Sequence, residues 1–312
     1  MTEVHVAVAV IRRGERVLIA RRPDHVHQGG LLEFPGGKVE PGETVQAALV
    51  REIQEETGLA VAPESLQPVI GVRHDYGDKR VFLDVWSADT VVGEAHGREG
   101  QEVAWMPLAD LRDADFPAAN RPIIQALKLP HQYAISGHFD TVEAGLERLE
   151  RGLAAHCPAL VLLRAPWLPA RDYRRFAEAG LALCQAAGAA ALVHGLADPG
   201  LLAAAAGVHL PWREAAGLCE RPVAPDRLLA VSCHSQAELR QAMALGADFA
   251  TLGAVQATPS HPDVQPMGWQ QFEREVACAA LPVFALGGVT PADIDQARAR
   301  GGQGVAGIGL WW

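Results

Sequence analysis

The sequence predicts an α/β protein of two domains, and three observations support this. The chain has 312 residues, of which 49% are hydrophobic and 21% charged, so it is long enough for two buried cores. Its pattern changes at Leu129-Pro130-His131-Gln132, after which about eight short apolar runs alternate with Ala-rich helical stretches. We therefore expect one domain over residues 1–129 and a second over residues 130–312.

Composition excludes several classes of function. A formal net charge of −10 disfavours nucleic acid as a partner. The N-terminal segment alternates apolar and charged residues, which predicts neither a signal peptide nor a membrane span. The five cysteines show no Cys-x-x-Cys spacing, which favours a reduced, cytoplasmic chain.

The first domain is predicted to mix strands and helices. Apolar alternation on both sides of an Arg-Gly-Glu turn indicates a hairpin, and a Gly/Pro loop then precedes a helix. The predicted strands and helices lie near Val4–Ile11, Val17–Ala20, Thr44–Thr57 (helix), Pro68–Arg73, Arg80–Trp86 and Arg121–Leu129 (helix).

The second domain is predicted to be a closed (β/α)8 barrel. Its apolar runs are almost continuous, which is typical of parallel strands covered on both faces. The runs are QYAIS, ALVLLR, AALVHG, GVHL, RLLAVS, DFATLG, LPVFALGG and GVAGIGL. Eight strand–helix units favour a barrel, and an open doubly wound sheet is the alternative.

The predicted helix over Thr44–Thr57 has an unusual distribution of charge. Glu52, Glu55 and Glu56 fall on one side, and the residues predicted to pack on the opposite side are Ala47, Val50 and Ile53. Carboxylates crowded on one helical face repel one another, so folding alone does not favour this arrangement. A hard divalent cation removes the repulsion and can bridge carboxylates to phosphates, although a solvated acidic face remains the alternative.

The residues around this helix resemble the Nudix box. Gly36-Gly37 is followed by Glu43 and then by Arg51-Glu52-Ile-x-Glu55-Glu56-x-Gly58-Leu59. The resemblance implies an α/β/α sandwich with a mixed sheet that hydrolyses nucleoside diphosphates linked to another group, with Mg2+ or Mn2+ as cofactor. It assigns metal coordination to Glu52, Glu55 and Glu56 with the Gly36 carbonyl, and orientation of these carboxylates to Arg51 and Glu43.

The similarity extends over residues 3–128 to the MutT group of this family, through RRGERVLIARRPD, LLEFPGGKVEPGET, GREGQEVAWMPL and DADFPAANRPII. This resemblance implies hydrolysis of 8-oxo-dGTP to 8-oxo-dGMP and pyrophosphate, a reaction of nucleotide-pool sanitation and DNA repair. It assigns phosphate contact to Arg22, purine recognition to Asn120 and a place near the nucleotide to Glu33. Glu52 is the expected catalytic base, and Glu99 is the alternative base and a further metal ligand. Without the resemblance, Asn120 could simply cap the following helix.

The second domain resembles the thiamine phosphate synthase and TenI group of barrels, through AAGVHLP, LLAVSCHS, GADFATLGAV and LPVFALGGV. A barrel site lies at the C-terminal strand ends. There the sequence places a group of polar residues and glycines: Arg164, His194, His209, Ser232, His234, Gly287 and Gly288. A phosphorylated thiazole or another thiamine-related compound is the implied ligand.

Synthase activity is not expected of this domain. The segment that carries a metal-binding Asp in the family reads Leu-Val-His194-Gly195-Leu, and Pro211-Trp212 replaces the family's Gly-Gln pair. The domain also contains no lysine. Three hypotheses stay open: a nucleotide sanitiser with a degenerate or ligand-binding barrel, a hydrolase of thiamine-pathway pyrophosphates with a thiazole tautomerase barrel, and a barrel that regulates the hydrolase.

Overall fold

A computed structural model describes residues 3–25, 28–77, 79–196, 198–258 and 264–312. The chain forms two compact units, Met1–Lys128 and Leu129–Trp312. The sequence-based boundary differs from this division by one residue, because the buried side chain of Leu129 packs in the interior of the second unit.

The first unit has nine strands and two α-helices within the described residues. These are β1 (Glu3–Arg13), β2 (Arg16–Arg21), β3 (Leu32–Glu33), β4 (Gly36–Lys38), α1 (Val45–Thr57), β5 (Ala60–Val61), β6 (Gln67–Asp75), β7 (Arg80–Ala88), β8 (Val91–Val92), β9 (Val103–Pro107) and α2 (Arg121–Lys128). Single 3-10 turns lie at Pro63–Ser65, Leu108–Asp110, Asp113–Asp115 and Ala118–Asn120.

Strand β1 is central to the mixed sheet of this unit. It pairs in parallel with β7 and antiparallel with β2 and β4, and the sheet runs in the order β3-β2-β1-β7-β6. Helix α1 packs Leu49 and Ile53 in one cluster with Ala7 and Ala9 of β1. One face of α1 therefore packs on the sheet. This packing determines where the opposite, acidic face of the same helix lies.

The second unit alternates strands and helices. These are β10 (Gln132–Ile135), α3 (Val142–His156), β11 (Leu160–Leu163), α4 (Ala170–Ala186), β12 (Ala190–His194), α5 (Pro199–Ala204), β13 (Gly207–Leu210), α6 (Trp212–Ala215), β14 (Leu228–Cys233), α7 (Gln236–Ala244), β15 (Phe249–Gly253), α8 (Gly268–Val276), β16 (Val283–Leu286), α9 (Ile294–Ala299) and β17 (Gly304–Gly307).

The eight strands β10–β17 form a closed parallel barrel, which confirms the predicted barrel over the open sheet. Closure is made by β10 and β17, where Tyr133 is the register partner of Ala306. Phe249 and Phe284 fill the interior with Tyr133, and all three are fully buried. Polar side chains on the inner face must therefore lie above this apolar layer, toward the C-terminal ends of the strands.

Two further findings concern membrane spans and disulfide bonds. No helix in the described part of the chain is long and apolar enough to cross a membrane. All five cysteines are free, and Cys184 and Cys233 are buried.

Candidate active site

Helix α1 begins and ends as the sequence predicts. The Thr44 hydroxyl accepts a hydrogen bond from the Ala47 amide at 3.2 Å, and Gly58 ends the helix in the left-handed conformation at φ 72°. The predicted packing face is partly wrong, since Ile53 is buried but Ala47 is exposed. The buried stripe centres on Leu49 and Ile53, which points the glutamate side toward β4.

Arg51 organises the acidic face of α1. Its guanidinium donates to both carboxylate oxygens of Glu43, at 3.1 and 2.9 Å, and to Glu52 at 2.7 Å. It also reaches Glu55 at 3.3 Å and the Lys38 carbonyl at 3.1 Å. A planar fork with five donors can make these contacts together, whereas an ammonium cannot. Arg51 therefore holds Glu43, Glu52 and Glu55 in one hydrogen-bonded group, and its role in orienting metal-binding carboxylates stays a prediction.

The Glu52 carboxylate lies directly against the backbone of β4. A Cβ atom at Gly37 would come within 2.1 Å of its Oε1 atom, so only glycine leaves room for it. The Glu52 side chain is 15% exposed and faces the same loop as Glu56. The Gly-Gly pair of the motif thus makes space for a carboxylate.

Among the acids of the site, Glu56 has the most strongly shifted pKa. Its carboxylate accepts the Gly36 amide at 2.9 Å. Burial, and to a smaller extent the charges of Glu33, Glu52 and Glu99, raise the pKa of Glu56 to about 7. Four acids therefore share one neighbourhood, and their mutual repulsion is not fully compensated by Arg51.

The donor set of this region fits a hard cation. Every candidate ligand is an oxygen atom, and such atoms suit Mg2+ or Mn2+. Within the described residues no three acidic, histidine or cysteine side chains already stand close enough together to form a metal site. Glu52 is instead paired with Arg51, and Glu56 with the Gly36 amide. Each of these contacts uses one oxygen of its carboxylate, so the second oxygen of Glu52 and of Glu56 is left for a cation.

Glu99 lies in a loop that is tied to the end of α1. The Arg98 amide and the Gln101 side chain both donate to the Glu56 carbonyl, at 3.0 and 3.1 Å. The Gln101 side chain in turn accepts the Glu99 amide at 2.9 Å. Glu99 is exposed but acts electrostatically on Glu56, so this loop brings a fourth carboxylate toward the helix face.

The predicted substrate residues Arg22 and Glu33 lie beside the acidic face of α1, since the charge of Glu33 acts on Glu56. Arg22 forms an ion pair with Glu33, and Phe34 stacks on Phe116 with ring centroids 5.6 Å apart. Burial raises the pKa of Glu33, although Arg22 opposes that effect.

Asn120 ends the 3-10 turn that follows Phe116, and it is 8% exposed. Its backbone amide donates to Pro117, but its side-chain amide has no hydrogen-bond partner in the described part of the chain. It therefore does not cap α2.

Tyr76 is a residue that sequence reasoning missed. Burial raises the pKa of its phenol and the charge of Arg22 lowers it, so the two side chains are neighbours. His74 packs edge-on against the Tyr76 ring at 4.4 Å, and the Lys79 ammonium lies 5.5 Å from its centroid. An aromatic residue in the β6–β7 turn gives no sequence signal for this position, because only the fold brings it to Arg22.

The interior of the barrel holds a polar chain above the aromatic layer. The Tyr133 hydroxyl contacts His209 Nδ1 at 3.0 Å, and His209 Nε2 contacts the Ser232 hydroxyl at 2.7 Å. His209 is 2% exposed. Burial, with the smaller effects of His194 and Arg164, lowers the pKa of His209 to about 3. His209 is therefore neutral at physiological pH.

Arg164 and His194 follow adjacent strands at the mouth of the barrel, since Leu163 is paired with Val193. Burial and the charges of Arg164 and Arg213 lower the pKa of His194 to about 4. Burial and Arg213 also lower the pKa of Arg164. Arg213, in α6, was not predicted as a site residue because it follows no recognisable motif.

His234 and the glycine pair directly follow β14 and β16. The His234 side chain is 62% exposed and contacts Glu238 of α7 at 3.0 Å. Gly287 and Gly288 adopt positive φ values of 95° and 69°. A Cβ at Gly288 would meet the Ala257 carbonyl at 2.4 Å, so these glycines allow two loops to approach closely.

Comparison with family models divides the chain in the same way. The model described as thiamine monophosphate synthase matches residues 132–310, and the NUDIX domain model matches residues 6–126. These matches confirm both resemblances predicted from sequence.

Curated relatives cover each domain almost completely. The N-terminal part is 40% identical over 129 residues to 8-oxo-dGTP diphosphatase of Escherichia coli K12, covering 41% of this chain and 98% of the relative. It is 31% identical over 126 residues to CTP pyrophosphohydrolase of the same organism, covering 40% and 92%. The C-terminal part is 33% identical over 185 residues to putative thiamine-phosphate synthase 2 of Aquifex aeolicus, covering 59% and 99%.

Proposed function

We propose a function for a chain that belongs to two families, the Nudix hydrolases through its N-terminal domain and the thiamine monophosphate synthases through its C-terminal domain. The N-terminal domain hydrolyses 8-oxo-dGTP to 8-oxo-dGMP and pyrophosphate, with Mg2+ as cofactor. The barrel is not a synthase and serves as a ligand-binding domain.

The buried side-chain amide of Asn120 is the observation that carries this substrate. Its NH2 group can donate and its carbonyl oxygen can accept, and no side-chain hydrogen bond of Asn120 is found within the described residues. An oxidised guanine presents matching groups along its edge, so this amide is available to a ligand that supplies them.

In the proposed reaction the chain's own residues orient the phosphates and the attacking water. Arg22 contacts phosphate, and Arg51 keeps Glu52 in place. Glu52, Glu55, Glu56 and Glu99 would hold the cation together with the Gly36 carbonyl, and the cation would neutralise phosphate charge. Glu52 orients the attacking water or takes its proton, and Glu99 is the alternative base.

The family of the C-terminal domain suggests a second candidate substrate for the N-terminal hydrolase. A hydrolase joined to a thiamine-type barrel could act on a pyrimidine pyrophosphate, with the barrel handling a phosphorylated thiazole. The relative named CTP pyrophosphohydrolase adds a pyrimidine nucleotide to the substrates worth testing.

One assay separates these substrates. Formation of the monophosphate product is measured for the full chain with 8-oxo-dGTP, dGTP, CTP and hydroxymethylpyrimidine pyrophosphate, in Mg2+ and in EDTA; the triphosphates release pyrophosphate, and the pyrimidine pyrophosphate releases phosphate. We expect the highest kcat/KM for 8-oxo-dGTP and no turnover in EDTA. Preference for either pyrimidine compound would overturn the proposed substrate.

The role of Asn120 is tested in the same assay. Asn120→Asp replaces the amide donor with an acceptor, so the preference for 8-oxo-dGTP over dGTP should fall about tenfold while dGTP turnover changes little. Glu64→Gln, on the exposed turn before β6, is the matched control. Unchanged preference in Asn120→Asp would exclude purine recognition by this residue.

A further inference from the structure

The ion pair between Arg22 and Glu33 is held by the hairpin that borders the acidic face of α1. Arg22 follows β2 directly, and Glu33 ends β3, which pairs antiparallel with β2. The Arg22 amide donates to the Leu31 carbonyl at 2.9 Å, and the Gly30 amide donates to the Arg22 carbonyl at 3.0 Å. The backbone around the pair is therefore fixed, and the Arg22 Nη1 atom donates to Glu33 Oε2.

The preceding arginine of β2 forms an ion pair that serves as a comparison. Arg21 Nε lies 3.4 Å from Glu102 Oε2, and the two side chains are 53% and 75% exposed. In the pair of Arg22 and Glu33 the side chains are 24% and 30% exposed. Water and salt screen partly buried charges less than exposed ones, so the pair of Arg22 and Glu33 is the stronger of the two.

This stronger pair lies beside the carboxylates that are proposed to hold the cation. The charge of Glu33 acts on Glu56 more strongly than the charges of Glu52 and Glu99 do. Arg51 already donates to three carboxylates and one carbonyl in this region. A phosphate that enters beside these acids therefore needs a different guanidinium as its donor.

Glu33 and a phosphate make the same demand on Arg22. Carboxylate and phosphate oxygens both accept charge-assisted hydrogen bonds from the planar fork of an arginine. Both groups are also negative, so the Glu33 carboxylate repels a phosphate that approaches the same guanidinium. We propose that Glu33 is an internal competitor of the substrate: its carboxylate holds Arg22, and a nucleotide phosphate must displace it in order to bind. The inference rests on the phosphate contact of Arg22 in the proposed function.

Titration calorimetry in EDTA measures this competition as binding, separately from turnover. The full chain and its Glu33→Gln variant are titrated with 8-oxo-dGTP and with CTP at pH 8. Glutamine keeps the size of the side chain and one oxygen acceptor but removes the charge, so it competes less well for Arg22. We expect the variant to bind both triphosphates about two- to fivefold more tightly than the parent chain, which is the range for one ion pair that is partly exposed.

Glu102→Gln is the matched control, because it removes the carboxylate of the exposed pair on the same strand. It should bind both triphosphates like the parent chain. Unchanged or weaker binding by Glu33→Gln would overturn the proposal, and so would the absence of binding of either triphosphate at millimolar concentration.

A second pair of variants separates competition from general repulsion. Arg22→Gln removes the guanidinium that the two anions share. If Glu33 acts through Arg22, adding Glu33→Gln to Arg22→Gln should leave the affinity within about twofold, and it should not restore binding that Arg22→Gln has lost. An equal gain with and without Arg22 would show only that removing a negative charge favours an anion, and it would overturn the proposal.

Steady-state kinetics in saturating Mg2+ give an independent readout. Glu33→Gln should lower KM for both triphosphates by a similar factor, because the charge that opposes binding is gone. A fall in kcat with unchanged KM would contradict competition. The expected gain is shared by both triphosphates, so it does not depend on which base the hydrolase prefers. Failure of the proposed substrate and failure of the competition are therefore distinguishable.

Discussion

The two candidate sites of this chain have opposite electrostatic characters. In the N-terminal domain, Glu33, Glu52, Glu56 and Glu99 crowd together, and Arg22 and Arg51 compensate them only in part. In the barrel, Arg164 and Arg213 approach His194 with no carboxylate paired to them in the described residues. Each arrangement carries uncompensated charge of one sign, which is costly unless a ligand of the other sign binds. The first site thus calls for a cation and the second for an anion.

The largest expected effect tests the acidic side of this comparison. Glu52→Gln keeps the shape of the side chain that packs against Gly37 but removes its charge and basicity. We expect nucleotide turnover to fall by about 10²–10⁴-fold, because a positioned base contributes on this scale. Pyrophosphate release measures it, and circular dichroism checks that the fold is retained. Near-normal turnover in Glu52→Gln would exclude the proposed role of Glu52.

A smaller effect is expected from Arg51→Lys. Lysine keeps the positive charge but cannot contact Glu43, Glu52, Glu55 and the Lys38 carbonyl together. Loss of a residue that orients metal-binding carboxylates typically costs about 10–100-fold in activity or metal affinity. Steady-state kinetics at several Mg2+ concentrations should show a raised requirement for the metal.

Arg16→Lys, on the exposed end of β2, is the control for the arginine-to-lysine change. If Arg51→Lys required no more Mg2+ than this control, charge alone would explain the role of Arg51.

The smallest effect concerns the stability of the barrel. Burial lowers the pKa of His209 to about 3, below its ordinary value of 6.5, so the folded state binds fewer protons than the unfolded state between these values. Its contribution to stability is therefore complete above pH 6.5 and is lost as the pH falls. Between pH 7 and pH 5 the loss amounts to about 2 kcal/mol.

Calorimetric melting at pH 7 and pH 5 measures this loss. His209→Gln should show a smaller difference between the two pH values than the parent chain, whatever its absolute stability. His156→Gln, an exposed histidine at the end of α3, should retain the full difference. Equal differences in all three proteins would contradict the assignment of a neutral, buried His209.

Sequence predicted the local features of both domains well because their causes are local. Thr44 and Gly58 bound α1 through their own side-chain and backbone chemistry, and the near-continuous apolar runs of β10–β17 indicated a covered parallel sheet. The contact between Tyr133 and His209 was not predictable, since 76 residues separate them. The same holds for Tyr76 beside Arg22, and for Arg213 near Arg164. These contacts depend on strand order and register, which a single sequence does not specify.

Pairing of β10 with β17 has a consequence for synthesis of the chain on the ribosome. All elements of the N-terminal unit have emerged once Lys128 is out, so this unit can fold while translation continues. The barrel cannot close before Gly304–Gly307 is available, and until then the apolar strand Gln132–Ile135 has an unpaired edge. We therefore expect nascent or truncated chains to be recognised by chaperones mainly through their C-terminal half, with the hydrolase unit already folded beside it.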